Sequence, residues 1–152
     1  MRTSLEKDII YHIYNRGNRK QTICFTRKDY AKLLNLFYKY FDYRSFNIIS
    51  LCIMPNHFHL LVVRNSNLNT ERAIQNVSSV YAKYINKKYG VVGHLFQGTY
   101  KRKKVTDIVY FEKLVKYINN NPIELSPHTP FILKENRKLI NYYKMILSTE
   151  SE

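Results

Sequence analysis

The sequence has 152 residues, 45% of them hydrophobic, the size and make-up of one ordinary folded domain. That content excludes a disordered chain, and no apolar run approaches the roughly 20 residues that cross a bilayer. Lys and Arg number 25 against 11 Asp and Glu, a formal charge of +14, as expected of a chain that binds a polyanion. The 14 Tyr and 8 Phe add rings on which unpaired bases can stack, so single-stranded nucleic acid is the expected partner. Met1–Asp8 lacks the apolar core of a signal peptide, which sets the expectation of a cytoplasmic protein, nucleoid-associated when DNA-bound. Cys24 and Cys52 are the two cysteines, read as buried free thiols, with no disulfide framework and no Cys-rich zinc site.

In chain order, Ile9–Asn15 is β-branched and aromatic and reads as a first strand. His12 falls inside it and reads as structural. Arg16–Lys20 is a basic turn bent by Gly17 and Asn18, and Thr22–Phe25 a short extended piece. Thr26 caps a helix, with acidic Asp29 at its third position. Tyr30, Leu33, Leu34, Phe37 and Phe41 follow at helical spacing. Phe46–Met54 is a second strand. Pro55-Asn56 turns it into an apolar run, His57–Val63, making an antiparallel pair.

A second helix is expected from Thr70, marked by Ile74, Val77, Tyr81, Tyr84 and Ile85 and stopped at Gly90. Thr99–Val105 is a fourth, strongly basic strand whose alternate cations line one face, or else a solvated edge protected by Lys. Thr106 caps a third helix, Asp107–Asn120, with an apolar stripe of Ile108, Phe111, Leu114, Val115 and Ile118. Beside it runs a second stripe, Tyr110, Lys113, Tyr117 and Asn121. Pro122 ends that helix. Leu133–Leu147 reads as a last helix. The order gives an α/β (α+β) fold: a ferredoxin-like β-α-β-β-α-β sandwich with an antiparallel sheet, plus the C-terminal helix Asp107–Asn120 and a further helix. Residues 1–152 are expected to form one domain, with 123–152 a variable C-terminal helical extension.

Chemistry concentrates at His57-Phe58-His59. In a strand, residues i and i+2 share a face, so both imidazoles project together and Phe58 points away. A His-x-His pair is short enough to occur by chance, and two half-buried histidines bonded to loop carbonyls would look the same. By spacing alone Tyr117 reads as a boundary aromatic and Asn121 as a helix C-cap.

Four segments change the balance. Tyr11-His-Ile-Tyr-Asn-Arg-Gly-Asn18, Met54-Pro-Asn-His-Phe-His-Leu-Leu-Val62, Gly93-His-Leu-Phe-Gln-Gly-Thr-Tyr-Lys101 and Tyr117-Ile-Asn-Asn-Asn-Pro122 occur in this order. Together they resemble the bacterial REP-associated tyrosine transposases, of the single-tyrosine, His-hydrophobic-His superfamily, over about residues 9–122. The resemblance implies a single-stranded DNA transposase or nickase. His57 and His59 then match the metal-binding histidines, Tyr117 the nucleophile on a catalytic helix, and Asn121 the residue completing the metal site. Gln97 is the next candidate ligand and Tyr110 the next candidate nucleophile. The implied cofactor is Mg²⁺ or Mn²⁺, and the implied partner is single-stranded or hairpin-flanking DNA, with a homodimer allowed. A tyrosine phenol can attack phosphorus and hold the cut end as a phosphotyrosine, while a divalent ion orients the phosphate. Arg16, Arg19, Lys20, Lys101, Arg102, Lys103, Lys104 and Lys113 are the expected DNA contacts. The competing function is a non-catalytic single-stranded nucleic-acid-binding module.

Overall fold

The computed structural model describes residues 5–66, 72–120 and 130–150. Its elements are β1 (Ile10–Arg16), α1 (Arg27–Tyr40), β2 (Phe46–Ile53), β3 (His57–Arg64), α2 (Ala73–Tyr89), β4 (Lys101–Val105), α3 (Ile108–Asn120), β5 (Ile132–Glu135) and α4 (Arg137–Glu150). The strands form one sheet in the order β4-β1-β3-β2-β5, every neighbouring pair antiparallel. No described helix is long and apolar enough to cross a membrane.

Local signals place the helices. Thr26 and Asp29 make a reciprocal capping box at the start of α1. Gly90 ends α2 at φ 64°, a left-handed conformation that costs glycine little. Thr70, the expected start of α2, lies outside the described residues. At α3 the cap is Asp107 rather than Thr106: Tyr110 N–H donates to Asp107 Oδ1 at 2.8 Å. Asp and Thr are both good caps, so sequence did not separate two adjacent candidates.

Helices cover both faces of the sheet. On one face Tyr11, Ile13, Leu51, Ile53, Phe58, Leu60 and Val62 pack against α1 and α2. On the other, Ile10, Leu61, Val63 and Val105 pack against Phe111, Leu114, Val115 and Ile118 of α3 and Ile140, Tyr143 and Leu147 of α4. A bulge at Ile49 interrupts the β2–β3 register between Ile48 and Ser50. The extra residue keeps Phe46 and Ile48 on the same face as Leu51 and Ile53, and turns Ile49 to the α4 side.

One extended segment stays unpaired, and one expected helix differs. Thr22–Phe25 joins no strand; Ile23 and Cys24 N–H both donate to the Pro55 carbonyl, tying this segment to the β2–β3 turn. The expected helix Leu133–Leu147 begins late, because Ile132–Glu135 is the strand β5 on the edge of β2. Asn136 then caps α4, its Oδ1 accepting from Leu139 N–H at 3.1 Å. Leu133 fits the helical spacing of Leu139 and Ile146, but an open β2 edge takes those four residues first. Cys24 and Cys52 are buried free thiols, both pushed up to about 12 by burial and so held unreactive.

Candidate active site

The site sits at one end of the sheet, where three loops are laced by backbone hydrogen bonds. Gly17 N–H donates to Asn56 O, Asn18 N–H to Leu95 O, and Gln97 N–H to Arg16 O, each within 2.9 Å. Gly17 must lack a side chain: a Cβ there would stand 2.0 Å from the Gln21 carbonyl oxygen. The turn after β1, the Pro55-Asn56 turn and the segment before β4 are thereby held as one rim.

Below the rim is an open cleft of about 590 Å³. His57 and His59 line it from β3, Tyr14 and Arg16 from β1, Lys20 and Asn56 from the rim, Lys101 from β4 and Tyr117 from α3. The register explains the convergence. Tyr14 stands opposite both His59 and Lys101, and Arg16 opposite His57, and residues directly opposed in an antiparallel pair share a face. Phe58 points the other way, edge-on to Phe37 in the core, as the strand alternation requires.

The imidazoles are oriented by neighbours. Asn56 Oδ1 lies 2.7 Å from His57 Nδ1 and accepts from it, which fixes the ring and turns Nε2 away from Asn56. His12 Nε2 lies 3.0 Å from His59 Nδ1 in a buried contact. His12 also stacks on Tyr14 with centroids 4.5 Å apart, making a column Tyr14–His12–His59. Burial lowers His59 to about 3, with His12 and His57 adding to it; burial and then Lys103 lower His12 to about 4. Both rings are neutral at pH 7, the form a metal requires of a histidine. The His57 and His59 centroids are 5.3 Å apart. Tyr117 is half-exposed, its ring edge-on to His59 at 5.4 Å.

This donor set fits a divalent ion in part. His57 and His59 each have Nδ1 engaged by a neighbour, which leaves Nε2 as the ligand atom, with the outer-shell partner that metal-binding histidines use. Among the described residues no group of three or more His, Cys, Asp or Glu converges. Asn121 lies outside the described residues. Gln97 lines the cleft, with its Oε1 accepting from Arg16 Nε.

The expected DNA contacts divide by face. Arg16, Lys20 and Lys101 line the cleft, and Lys103 is opposite His12 on the same side of the sheet. Arg102 lies over the Tyr11 ring and Lys104 pairs with Glu6, both on the α1–α2 side. Arg19 lines a different cleft. Lys113 is exposed on α3 one turn before Tyr117, outside the cleft lining, and Tyr110 packs against the α3–α4 core. Sequence reasoning passed over His12 and Asn56, the two groups that hold the imidazoles.

Residues 6–121 match the family model described as Transposase IS200 like. The chain belongs to this family. Among solved structures, it is similar to a REP-associated tyrosine transposase bound to a REP hairpin: 16% identity, TM-score 0.61, over 82% of this chain and 72% of that one. A Deinococcus radiodurans R1 protein assigned as a transposase gives 16% identity and TM-score 0.50 over 79% and 95%. A bacterial tRNA(His) guanylyltransferase-like protein in complex with GTP gives 11% and 0.51 over 96% and 93%. At such identities the likeness is one of fold, and the third neighbour shows that this fold also carries other chemistry. No curated protein matches the sequence. The IS200-like match covers the four sequence segments Tyr11–Asn18, Met54–Val62, Gly93–Lys101 and Tyr117–Pro122 except Pro122.

Proposed function

We propose that this member of the IS200-like transposases is a metal-dependent single-stranded DNA transposase, cleaving and rejoining DNA through a 5′-phosphotyrosine on Tyr117. The observation that carries this is Tyr117 standing edge-on to His59 at a cleft lined by Arg16, Lys20 and Lys101. The hairpin-bound state of the similar REP-associated transposase supports DNA as the partner.

The chain's own residues divide the work. Arg16, Lys20 and Lys101 draw the phosphodiester into the cleft and offset its charge. Tyr117 Oη attacks phosphorus, forming the Tyr O–P bond as the P–O3′ bond breaks. The phenolic proton leaves to solvent, which reaches this half-exposed side chain, and the departing 3′ oxygen gains a proton. Rejoining is the reverse: a 3′-hydroxyl attacks the phosphotyrosine and frees Tyr117. His57 and His59, with Asn121 or Gln97, would hold Mg²⁺ or Mn²⁺, the latter suited to nitrogen ligands. Such an ion supplies Lewis-acid polarisation of the scissile phosphate.

Tyr117→Phe tests this. The variant should form no denaturation-resistant adduct with a labelled single-stranded oligonucleotide yet bind it with near-normal affinity, while Tyr110→Phe should still form the adduct. An adduct retained in Tyr117→Phe overturns the assignment. Binding without an adduct in the unsubstituted chain identifies a non-catalytic binding module instead.

A further inference from the structure

The β1–α1 turn divides two clefts. Lys20 lines the first, at His57, while its neighbour Arg19 lines a second cleft of about 710 Å³ between this turn and the end of α2. Arg19 and Lys20 are consecutive non-glycine residues with positive φ, 54° and 60°. That conformation is costly for a side-chain-bearing residue, and such strain collects where a site needs it. Here it splays two adjacent cations into two adjacent clefts. The turn is held rigidly in this state: Gln21 Nε2 donates to Leu95 O at 3.0 Å, and Asn18 N–H donates to the same oxygen at 2.8 Å.

The second cleft has the surface of a stacking site. Phe25 is 54% exposed, and its ring centroid lies 4.8 Å from that of Tyr89. Val92 beside them is 97% exposed. These apolar groups stay at the surface of a chain of charge +14, next to an arginine, and among the described residues no carboxylate lines the cleft. Asp29, which Tyr89 Oη reaches, is already neutralised by Lys88. An aromatic pair with an adjacent cation takes a base on its ring face and a phosphate at its guanidinium.

We propose that this second cleft is a binding subsite for an unpaired nucleotide of the strand cut at Tyr117, with the base stacked on Phe25 and Tyr89 and the adjoining phosphate held by Arg19. This rests on the function proposed above, and makes the turn a saddle over which the strand passes from one cleft to the other.

Binding by the full chain carrying Tyr117→Phe, which is not expected to cut, tests it by fluorescence anisotropy. The probes are oligothymidylate of about 20 nucleotides, longer than the roughly 4–16 that a single-strand site covers, and its fully abasic counterpart with the same phosphates. Phe25→Ala should bind oligothymidylate about tenfold more weakly, the loss of one stacked base, and bind the abasic strand unchanged. Phe25→Trp should restore the affinity. The Phe25 backbone N–H to Asp29 survives these changes, so the fold is kept. Arg19→Gly should melt at the same or a higher temperature, because glycine accepts positive φ, yet show a salt slope shallower by about 0.7. Phe25→Ala that weakens both strands equally, or neither, overturns the stacking subsite while leaving cleavage at Tyr117 standing. Failure of the parent chain to bind oligothymidylate at all overturns both.

Discussion

His12 is the residue whose role changes most between sequence and structure. As a buried polar side chain it needs a partner, and it finds His59 Nδ1 at 3.0 Å. The contact fixes how the His59 ring is turned and which nitrogen faces the cleft. Removing a group of this kind costs about 10–100-fold in metal affinity. His12→Phe is therefore expected to lower Mn²⁺ affinity of the metal-free chain by that order in calorimetric titration. His12→Gln, whose amide oxygen can accept from His59 Nδ1, should recover much of it. Equal losses in the two variants would reduce His12 to a space-filling role.

At the scale of elements, the start of α1 is stapled to the end of α2 through one carboxylate. Asp29 is fully buried and accepts from Phe25 and Thr26 N–H, Tyr84 and Tyr89 Oη and Lys88 Nζ. Burial opposes its ionisation, but these donors outweigh burial and hold it at about 2, below the ordinary 3.8. The folded pKa is depressed, so the unfolded chain binds the proton first and stability falls as pH falls. The contribution, about 2 kcal/mol, is whole above pH ~4 and is lost by pH ~2. Asp29→Asn should melt lower than the parent at pH 7, with the gap closing toward pH 2 in thermal scans. A gap independent of pH would count against an ionised Asp29.

For the whole molecule, two consequences follow from how charge and core are laid over the sheet. The α3–α4 layer is completed by Ile140, Tyr143 and Leu147, and β5 closes the β2 edge. Three buried side chains at about 1.5–3 kcal/mol each approach the whole stability of a typical domain. A chain ending at Thr129 should therefore be unfolded or aggregated by circular dichroism and size exclusion; cooperative melting at the parent temperature would refute this. The cations differ by face. Binding of single-stranded DNA should weaken with salt at about −0.7 in log–log slope per phosphate neutralised. Lys101→Ala should make that slope shallower by about 0.7, whereas Lys104→Ala, paired with Glu6 behind the sheet, should leave it unchanged. Equal effects would mean that DNA wraps both faces.

Local rules were enough for what is local. Strand alternation put His57 and His59 on one face and Phe58 on the other, the capping box started α1, and Gly90 stopped α2. Those features depend on residues within a turn or two of one another, and the order of elements pointed to a ferredoxin-like sandwich with an antiparallel sheet. Alternation names two faces of β4 but not which one meets the site, and that was decided by pairing with β1. Nor does it say that His12 and His59, 47 residues apart, lie side by side. The strand β5 exists because β2 had an open edge, and the second cleft because a strained turn and the end of α2 meet beside it. Each of these is a contact between distant segments, set by which strands pair and which faces helices cover, and no stretch of sequence carries it alone.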